Sequence, residues 1–214
     1  MGIDERRARD FQRREQEILA ATLALVGGEN WGAVTIDQIA ERAEISKGTV
    51  YKHFKSKDEV CARIVMDHLR TLLDKLRALD PALDYVPRVK TVLKTIWRHD
   101  LERPDLLKLS QYCELSEHAL NLGEGMARDF GAAKATFKAY LVEMVQEGVA
   151  RGIVPAQPLH YLLAAGWATS LGVVRLIGEG VDFPELASDE NFLDYLADFV
   201  VKGLMSATVA PRVG

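Results

Sequence analysis

The sequence predicts an all-α protein in two parts, a small N-terminal helical module and a larger helical C-terminal one. Three observations carry this. Apolar residues recur at helical spacing almost throughout, while alternating strand patterns are nearly absent. Two capping boxes, Thr35-x-x-Gln38 and Ser56-x-x-Glu59, mark helix starts within the first 60 residues. Glycines and prolines such as Gly27-Gly28, Asp80-Pro81, Pro104, Gly152 and Pro158 mark breaks between periodic stretches. With 214 residues, 48% of them apolar, the chain is long enough to bury a sizeable core.

The first helix is expected from Asp10 to Val26, with Phe11, Ile18, Thr22, Leu25 and Val26 on one face. Gly27 and Gly28 should end it, since glycine accepts the left-handed C-terminal cap. Trp31 and Val34 anchor the loop that follows. A short helix then runs from Ile36 to Ala43, burying Ile36, Ile39, Ala40 and Ala43. After the turn Glu44-Ile45, Ser46 is a good N-cap for another short helix. That helix carries Val50 and Phe54 inward and Lys47, Thr49, Tyr51, Lys52 and His53 outward or sideways. A fourth helix, from the second capping box to Asp80-Pro81, has the stripe Val60, Ile64, Val65, Leu69, Leu72, Leu73, Leu76 and Leu79. It begins beside the lysines and continues into the C-terminal part. Five more helices are expected near Pro87 to Asp100, Pro104 to Leu115, Leu122 to Arg151, Leu159 to Ile177 and Asp189 to Ser206. The boundary between the two parts is set at 56/57.

Overall charge says little. The formal net charge is −4, so the chain is not a basic coat for nucleic acid. Its distribution says more: Ser46 to Lys57 holds Lys47, Lys52, Lys55 and Lys57, one histidine and no acid. Such a run is either a solvated face or an anion-binding one. The two cysteines, Cys61 and Cys113, are far apart in apolar helical surroundings and read as buried reduced thiols. The N-terminus is charged and lacks an apolar signal core, and no apolar run approaches the roughly 20 residues needed to span a bilayer. A cytoplasmic chain without membrane contact is expected. No catalytic or metal-binding motif is found, the five histidines are scattered, and no cofactor is expected.

Two short helices joined by a tight turn, apolar inside and polar outside, suit a helix-turn-helix whose second helix enters a DNA major groove. Gly48 supports this. It costs about 1 kcal/mol against alanine inside a helix, and its use there suggests that a side chain would clash. Within this stretch the text TIDQIAERAEISKGTVYKHFKSKDEV resembles the TetR family of repressors. Its core pattern is Ile-Ala, then Ser-Lys-Gly-Thr-Val-Tyr-x-His-Phe, then Lys-x-Lys-Asp. The resemblance is strong over roughly a fifth of the chain and otherwise rests on helix number and length.

The resemblance implies an N-terminal three-helix DNA-binding domain and a larger helical domain for ligand binding and dimerisation. It implies that Thr35 and Lys57 meet phosphates, that Ser46, Lys47, Gly48 and Thr49 approach the groove, and that Tyr51, Lys52 and His53 contact phosphates or bases. Plainer roles stand beside these: Tyr51 as a half-buried core residue, His53 as a surface histidine, Thr35 as a cap only. The N-terminal arginines read as a solvated helix start. Glu44 stands where many members have glycine, so the turn is expected to be mildly strained.

In the C-terminal part the helix from Leu159 is apolar nearly all round, as for a helix buried on more than one side. With the last helix it is expected to form a homodimer interface through Leu163, Trp167, Val174, Phe192, Leu196 and Phe199. An effector pocket is expected around Met66, Leu69, Trp97, Tyr112, Cys113, Phe137, Leu141 and Trp167, although ordinary core packing explains any one of them. The partners implied are a double-stranded DNA operator, a second copy and a small, largely apolar effector. The function implied is repression from a palindromic operator released by that effector. An activator or an effector-independent DNA binder is the alternative.

Overall fold

A computed structural model describes residues 2–26, 31–115, 120–178, 185–186 and 190–206, and among these all regular structure is helical. The helices are α1 (Ile3–Val26), α2 (Ile36–Arg42), α3 (Lys47–His53), α4 (Lys57–Arg77), α5 (Tyr85–Leu101), α6 (Pro104–Leu115), α7 (Glu124–Ala150), α8 (Leu159–Val173) and α9 (Glu190–Ser206). A 3₁₀ turn, Trp31–Ala33, precedes α2, and a π turn, Val174–Gly178, continues α8. The expected glycine stop at Gly27-Gly28, the breaks at Gly180 and Pro184 and the helix start at Asp189 lie outside the described residues.

The chain packs as two compact units, and their division differs from the expected boundary at 56/57. The first comprises residues 1–69 and 105–133, the second 70–104 and 134–214. The reason is packing. The first turns of α4 bury Val60, Cys61, Ala62, Ile64 and Val65 in the same core as Ile18, Ile39 and Val50, and Leu109, Cys113 and Phe130 join that core. A boundary drawn at a capping box therefore separates residues that share one interior.

In the first unit, α1 begins at Ile3, seven residues before the expected start. Its extra turns have no apolar periodicity. They carry local polar pairs instead: the Gly2 amide donates to Glu5 Oε2 at 3.0 Å, and Arg7 lies 4.0 Å from Asp4. Further along, Ile18, Thr22 and Val26 are buried as the pattern predicts, and the Thr22 hydroxyl donates to the Ile18 carbonyl at 2.8 Å.

The second unit is built on Leu72, Leu76, Val92, Trp97, Val173 and Ala197. Helices α5 and α9 are bridged by the pairs Lys90–Asp198 and Lys94–Asp194. Helix α7 closes on Gly152 with φ of 68°, a left-handed cap in which the Ile153 amide donates to the Gly148 carbonyl at 3.0 Å. The Trp97 indole donates to the Ser170 hydroxyl at 3.0 Å, fixing α8 on α5.

One expectation is corrected here. By length and composition the 20-residue helical run Leu159–Gly178 is long and apolar enough to cross a membrane. Reading residues one at a time, Ser170 and Arg175 break the run; averaged along the helix, they do not. Nor is this helix sunk in its own unit. Leu162, Val173 and Val174 are buried, but Tyr161 and Trp167 are exposed.

Candidate nucleic-acid interface

The helix-turn-helix is built by backbone chemistry that the sequence encodes locally. Thr35 caps α2 in a full capping box: its hydroxyl accepts from the Gln38 amide at 3.3 Å, and the Gln38 side chain accepts from the Thr35 amide at 2.8 Å. The helix ends with Glu44 at φ of 54°, the expected left-handed residue. Around it the Ile45 amide donates to the Ala40 carbonyl at 2.9 Å and the Glu44 amide to the Glu41 carbonyl at 3.0 Å. This 6→1 and 5→2 pair is a Schellman closure, which fixes the direction in which the chain leaves α2. Ser46 then caps α3, accepting from the Thr49 amide at 3.2 Å. Val50 and Phe54, 0% and 2% exposed, pin α3 to the core from its inner side.

That pinning leaves a defined outer face. Thr35, Ser46, Lys47, Gly48, Tyr51 and Lys52 are all exposed, and Thr49 is half-buried. Tyr51 is 48% exposed, so about half of its surface faces solvent on this side of α3. Lys47 is tied to Asp37 of α2 at 2.8 Å, and this hydrogen bond holds the ammonium above its ordinary pKa. A Cβ added at Gly48 would meet nothing of the chain nearer than Ser46 Oγ at 3.9 Å. The expected clash is therefore not with this protein's own atoms.

Two of the expected contact residues are used differently. Lys57 does not reach outward. Its ammonium donates to the carbonyls of Trp31 (3.3 Å), Gly32 (2.9 Å) and Val34 (3.1 Å) and lies 5.5 Å from the centre of the Trp31 ring. All three of its protons are engaged in closing the 3₁₀ turn that precedes α2, so the phosphate role is withdrawn. His53 is half-buried and stacks on Phe11 of α1, with ring centres 4.0 Å apart. Its Nδ1 is sealed without a partner, and burial, the main cause, pushes its pKa below the usual histidine value while Glu15 opposes the shift. His53 thus fastens α3 to α1, and Phe11 earns its place on the α1 face by that contact.

Sequence reasoning missed a polar seam directly behind the recognition helix. Asp58 and Glu59, 9% and 5% exposed, open α4. Asp58 accepts from the Tyr112 hydroxyl at 3.2 Å and the Asn121 amide at 2.9 Å. Glu59 accepts from the Gly123 amide at 3.0 Å and the Lys55 amide at 2.7 Å, and the Ser56 hydroxyl donates to the Asn121 carbonyl at 2.6 Å. The Ser56–Glu59 capping box was visible in the sequence; that Glu59 and its neighbour Asp58 also bind a segment some 60 residues downstream was not.

The matches to known proteins centre on this same segment. Residues 18–64 match the family model described as bacterial regulatory proteins, tetR family. The chain belongs to the TetR family of transcriptional regulators. Among curated relatives, it is 42% identical over 64 residues to the uncharacterised HTH-type transcriptional regulator YdeS of Bacillus subtilis, covering 29% of this chain and 30% of YdeS. It is 26% identical over 199 residues to the uncharacterised HTH-type regulator Rv1556 of Mycobacterium tuberculosis, covering 93% of this chain and 78% of the relative. Among solved structures, the fold is similar to that of the regulator FadR from Bacillus subtilis in complex with stearoyl-CoA. The TM-score is 0.68 at 15% identity, over 91% of this chain and 99% of the other.

Other expected sites distribute unevenly. Of the expected pocket residues, Met66, Leu69, Tyr112 and Cys113 belong to the first unit's core and Trp97, Phe137 and Leu141 to the second's, while Trp167 is 55% exposed. Of the expected dimer residues, Val174 is 1% exposed within its own chain and is withdrawn, because a sealed side chain offers nothing to a partner. Trp167 and Phe199 are exposed, and Leu163, Phe192 and Leu196 are partly so. Tyr161, Tyr195 and Met205 join them as large exposed apolar side chains that the sequence reading passed over.

Proposed function

We propose that this TetR-family regulator acts as a dimeric repressor that grips a near-palindromic operator and is released by a small, largely apolar effector. The observation that carries the DNA half is the outer face of α3: Ser46, Lys47, Gly48, Tyr51 and Lys52 exposed on a helix capped and pinned from behind. Small residues at its N-terminus let the backbone approach phosphates closely, and the lysines and tyrosine flank that approach. Thr35 at the start of α2 adds a hydroxyl to the same side.

The dimer half is supported by α8 and α9. Trp167 is 55% exposed, Tyr195 68% and Phe199 64%. Exposed aromatics of this size are characteristic of association sites. A second copy brought to this face as a four-helix interface would present two recognition helices related by a two-fold axis, which a near-palindrome matches. The effector half is supported by the apolar interior of the second unit around Trp97, Phe137 and Leu141 and by the stearoyl-CoA bound in the similarly folded FadR. Helix α4 contributes residues to both units, so an effector that binds the DNA-free form more tightly has a physical route to the recognition helix.

The test is selection from a randomised duplex pool by the purified protein, repeated with Tyr51→Ala and Lys52→Ala. Enrichment of a near-palindrome, weakened in both variants, is expected. Enrichment of a single unpaired half-site would overturn the dimeric reading, and no enrichment at low salt would overturn specific DNA recognition. An operator placed upstream of a reporter then separates repression from activation.

A further inference from the structure

Cys61 on α4 and Cys113 on α6 stand 52 positions apart in sequence, yet their sulfurs are 2.9 Å apart. Both side chains are 0% exposed. Non-bonded carbons rarely approach closer than about 3.5 Å, and sulfur is larger. A disulfide bond is about 2.05 Å. The two thiols are therefore closer than unreacted neighbours ordinarily sit and within about 1 Å of bonding distance. One proton arrangement satisfies both: Cys61 donates to the Leu109 carbonyl, 3.7 Å away, and Cys113 donates to the Cys61 sulfur.

The place matters as much as the distance. Cys61 is less than one turn beyond Asp58 and Glu59, which already hold the start of α4 to Tyr112, Asn121 and Gly123. Helix α4 begins four residues after the last residue of the recognition helix. We propose that Cys61 and Cys113 are an intramolecular disulfide site, oxidised by small neutral hydroperoxides, that covalently closes the seam between α4 and α6 and gives the regulator a redox input. The regulatory part rests on the DNA-binding reading of α3; the thiol chemistry does not.

The step balances as follows. One sulfur, in its minor thiolate form, attacks the peroxide; an S–O bond forms, the O–O bond breaks and, for hydrogen peroxide, the departing hydroxide takes up the first thiol proton and leaves as water. The second sulfur attacks the resulting sulfenic acid; the S–S bond forms, the S–O bond breaks, and the hydroxide departs with the second thiol proton as another water. Two thiols lose two hydrogens and two electrons, and the peroxide takes both. The hydrogen bond with Cys113, and then burial, push the Cys61 pKa above its usual value, which keeps it largely protonated. The reaction is accordingly slow and excludes charged or bulky reagents.

The experiment uses the full reduced chain exposed to hydrogen peroxide, then alkylated in denaturant. Free thiols should fall from two to none, with an intact mass lower by two hydrogens, monomeric migration without reductant, and a melting temperature raised by roughly 5–10 °C that dithiothreitol reverses. Cys113→Ser should never show the loss of two hydrogens. Mass gain by oxygen alone, linkage between chains, or thiols that survive a treatment sufficient to oxidise the denatured chain would overturn the site. Operator affinity should change by at least about fivefold on oxidation, and not in Cys113→Ser. A disulfide that forms without that change overturns the redox input alone, whereas a reduced protein with no operator fails the DNA reading instead.

Discussion

Replacing Gly48 by alanine should move two measurements in opposite directions. Gly48 is the second residue of α3, and a Cβ there meets only Ser46 Oγ, at an ordinary 3.9 Å. Within the protein alone, alanine therefore adds helix propensity and restricts the unfolded chain without strain. Near a helix end this is about 0.5–1 kcal/mol of added stability, or a melting temperature higher by about 1–4 °C for a chain of this size. If α3 enters the groove at its N-terminus, the same methyl group occupies space that the DNA backbone or a base edge needs. A loss of about 1–3 kcal/mol, roughly fivefold to 150-fold in affinity, is then expected. The assay is thermal unfolding beside fluorescence anisotropy on the selected operator at one fixed salt concentration. A more stable variant with unchanged affinity would refute close approach at Gly48. A less stable variant would mean that the chain itself requires glycine there, against the geometry described.

Lys57→Met should lower stability by about 1–3 kcal/mol in urea unfolding, because three carbonyls lose a charged donor, yet leave the salt dependence of operator binding unaltered. Lys52→Ala should do the reverse, leaving stability within about 0.5 kcal/mol and reducing the slope of log affinity against log salt by about 2 for a dimer. Glu44→Gly should raise stability by about 0.5–1 kcal/mol by relieving the left-handed residue at φ of 54°; a fall in the urea midpoint would contradict the Schellman closure. For His53, the folded pKa lies below the unfolded value of about 6.5. Its contribution to stability is thus present above pH about 6.5 and lost as the pH falls through the folded pKa. His53→Phe, which keeps the stack on Phe11, should remove that part of the acid sensitivity, and equal pH profiles for the two proteins would sink the assignment.

Helix positions were legible because each boundary has a local chemical cause. The Thr35–Gln38 box, the Ser46 cap, the Glu44 turn and the Gly152 stop all lie within five residues of the atoms they satisfy. What could not be read locally was the use made of a side chain by distant backbone. Lys57 matches a phosphate-binding pattern, and the same ammonium serves three carbonyls 23 to 26 positions upstream. Cys61 and Cys113 have no short spacing to betray them, and only the crossing of α4 with α6 joins them. The early start of α1 was missed for the opposite reason: residues 4–13 are all exposed, so no apolar pattern marks that they are helical.

Withdrawing Lys57 and assigning His53 to packing makes the DNA face smaller, and that smallness bears on the oligomer. Each protomer then offers Lys47 and Lys52 as its outward cations on α3, the first already partnered by Asp37, on a chain whose net charge is −4. Two phosphate neutralisations give a salt slope of only about −2 and an affinity easily lost at physiological ionic strength. Two such faces held at fixed spacing give about −4, and the second engagement becomes intramolecular, which multiplies affinity by factors of roughly 10²–10⁴ without any new contact. On the proposed dimer, joined copies would therefore hold an operator far more tightly than one copy alone. The exposed Trp167, Tyr195 and Phe199 supply apolar area for that joining at no cost to the charge balance of the DNA face. The two halves of the functional reading stand on different residues, yet each needs the other: a DNA face this sparse calls for a dimer, and an outer surface this aromatic calls for a partner.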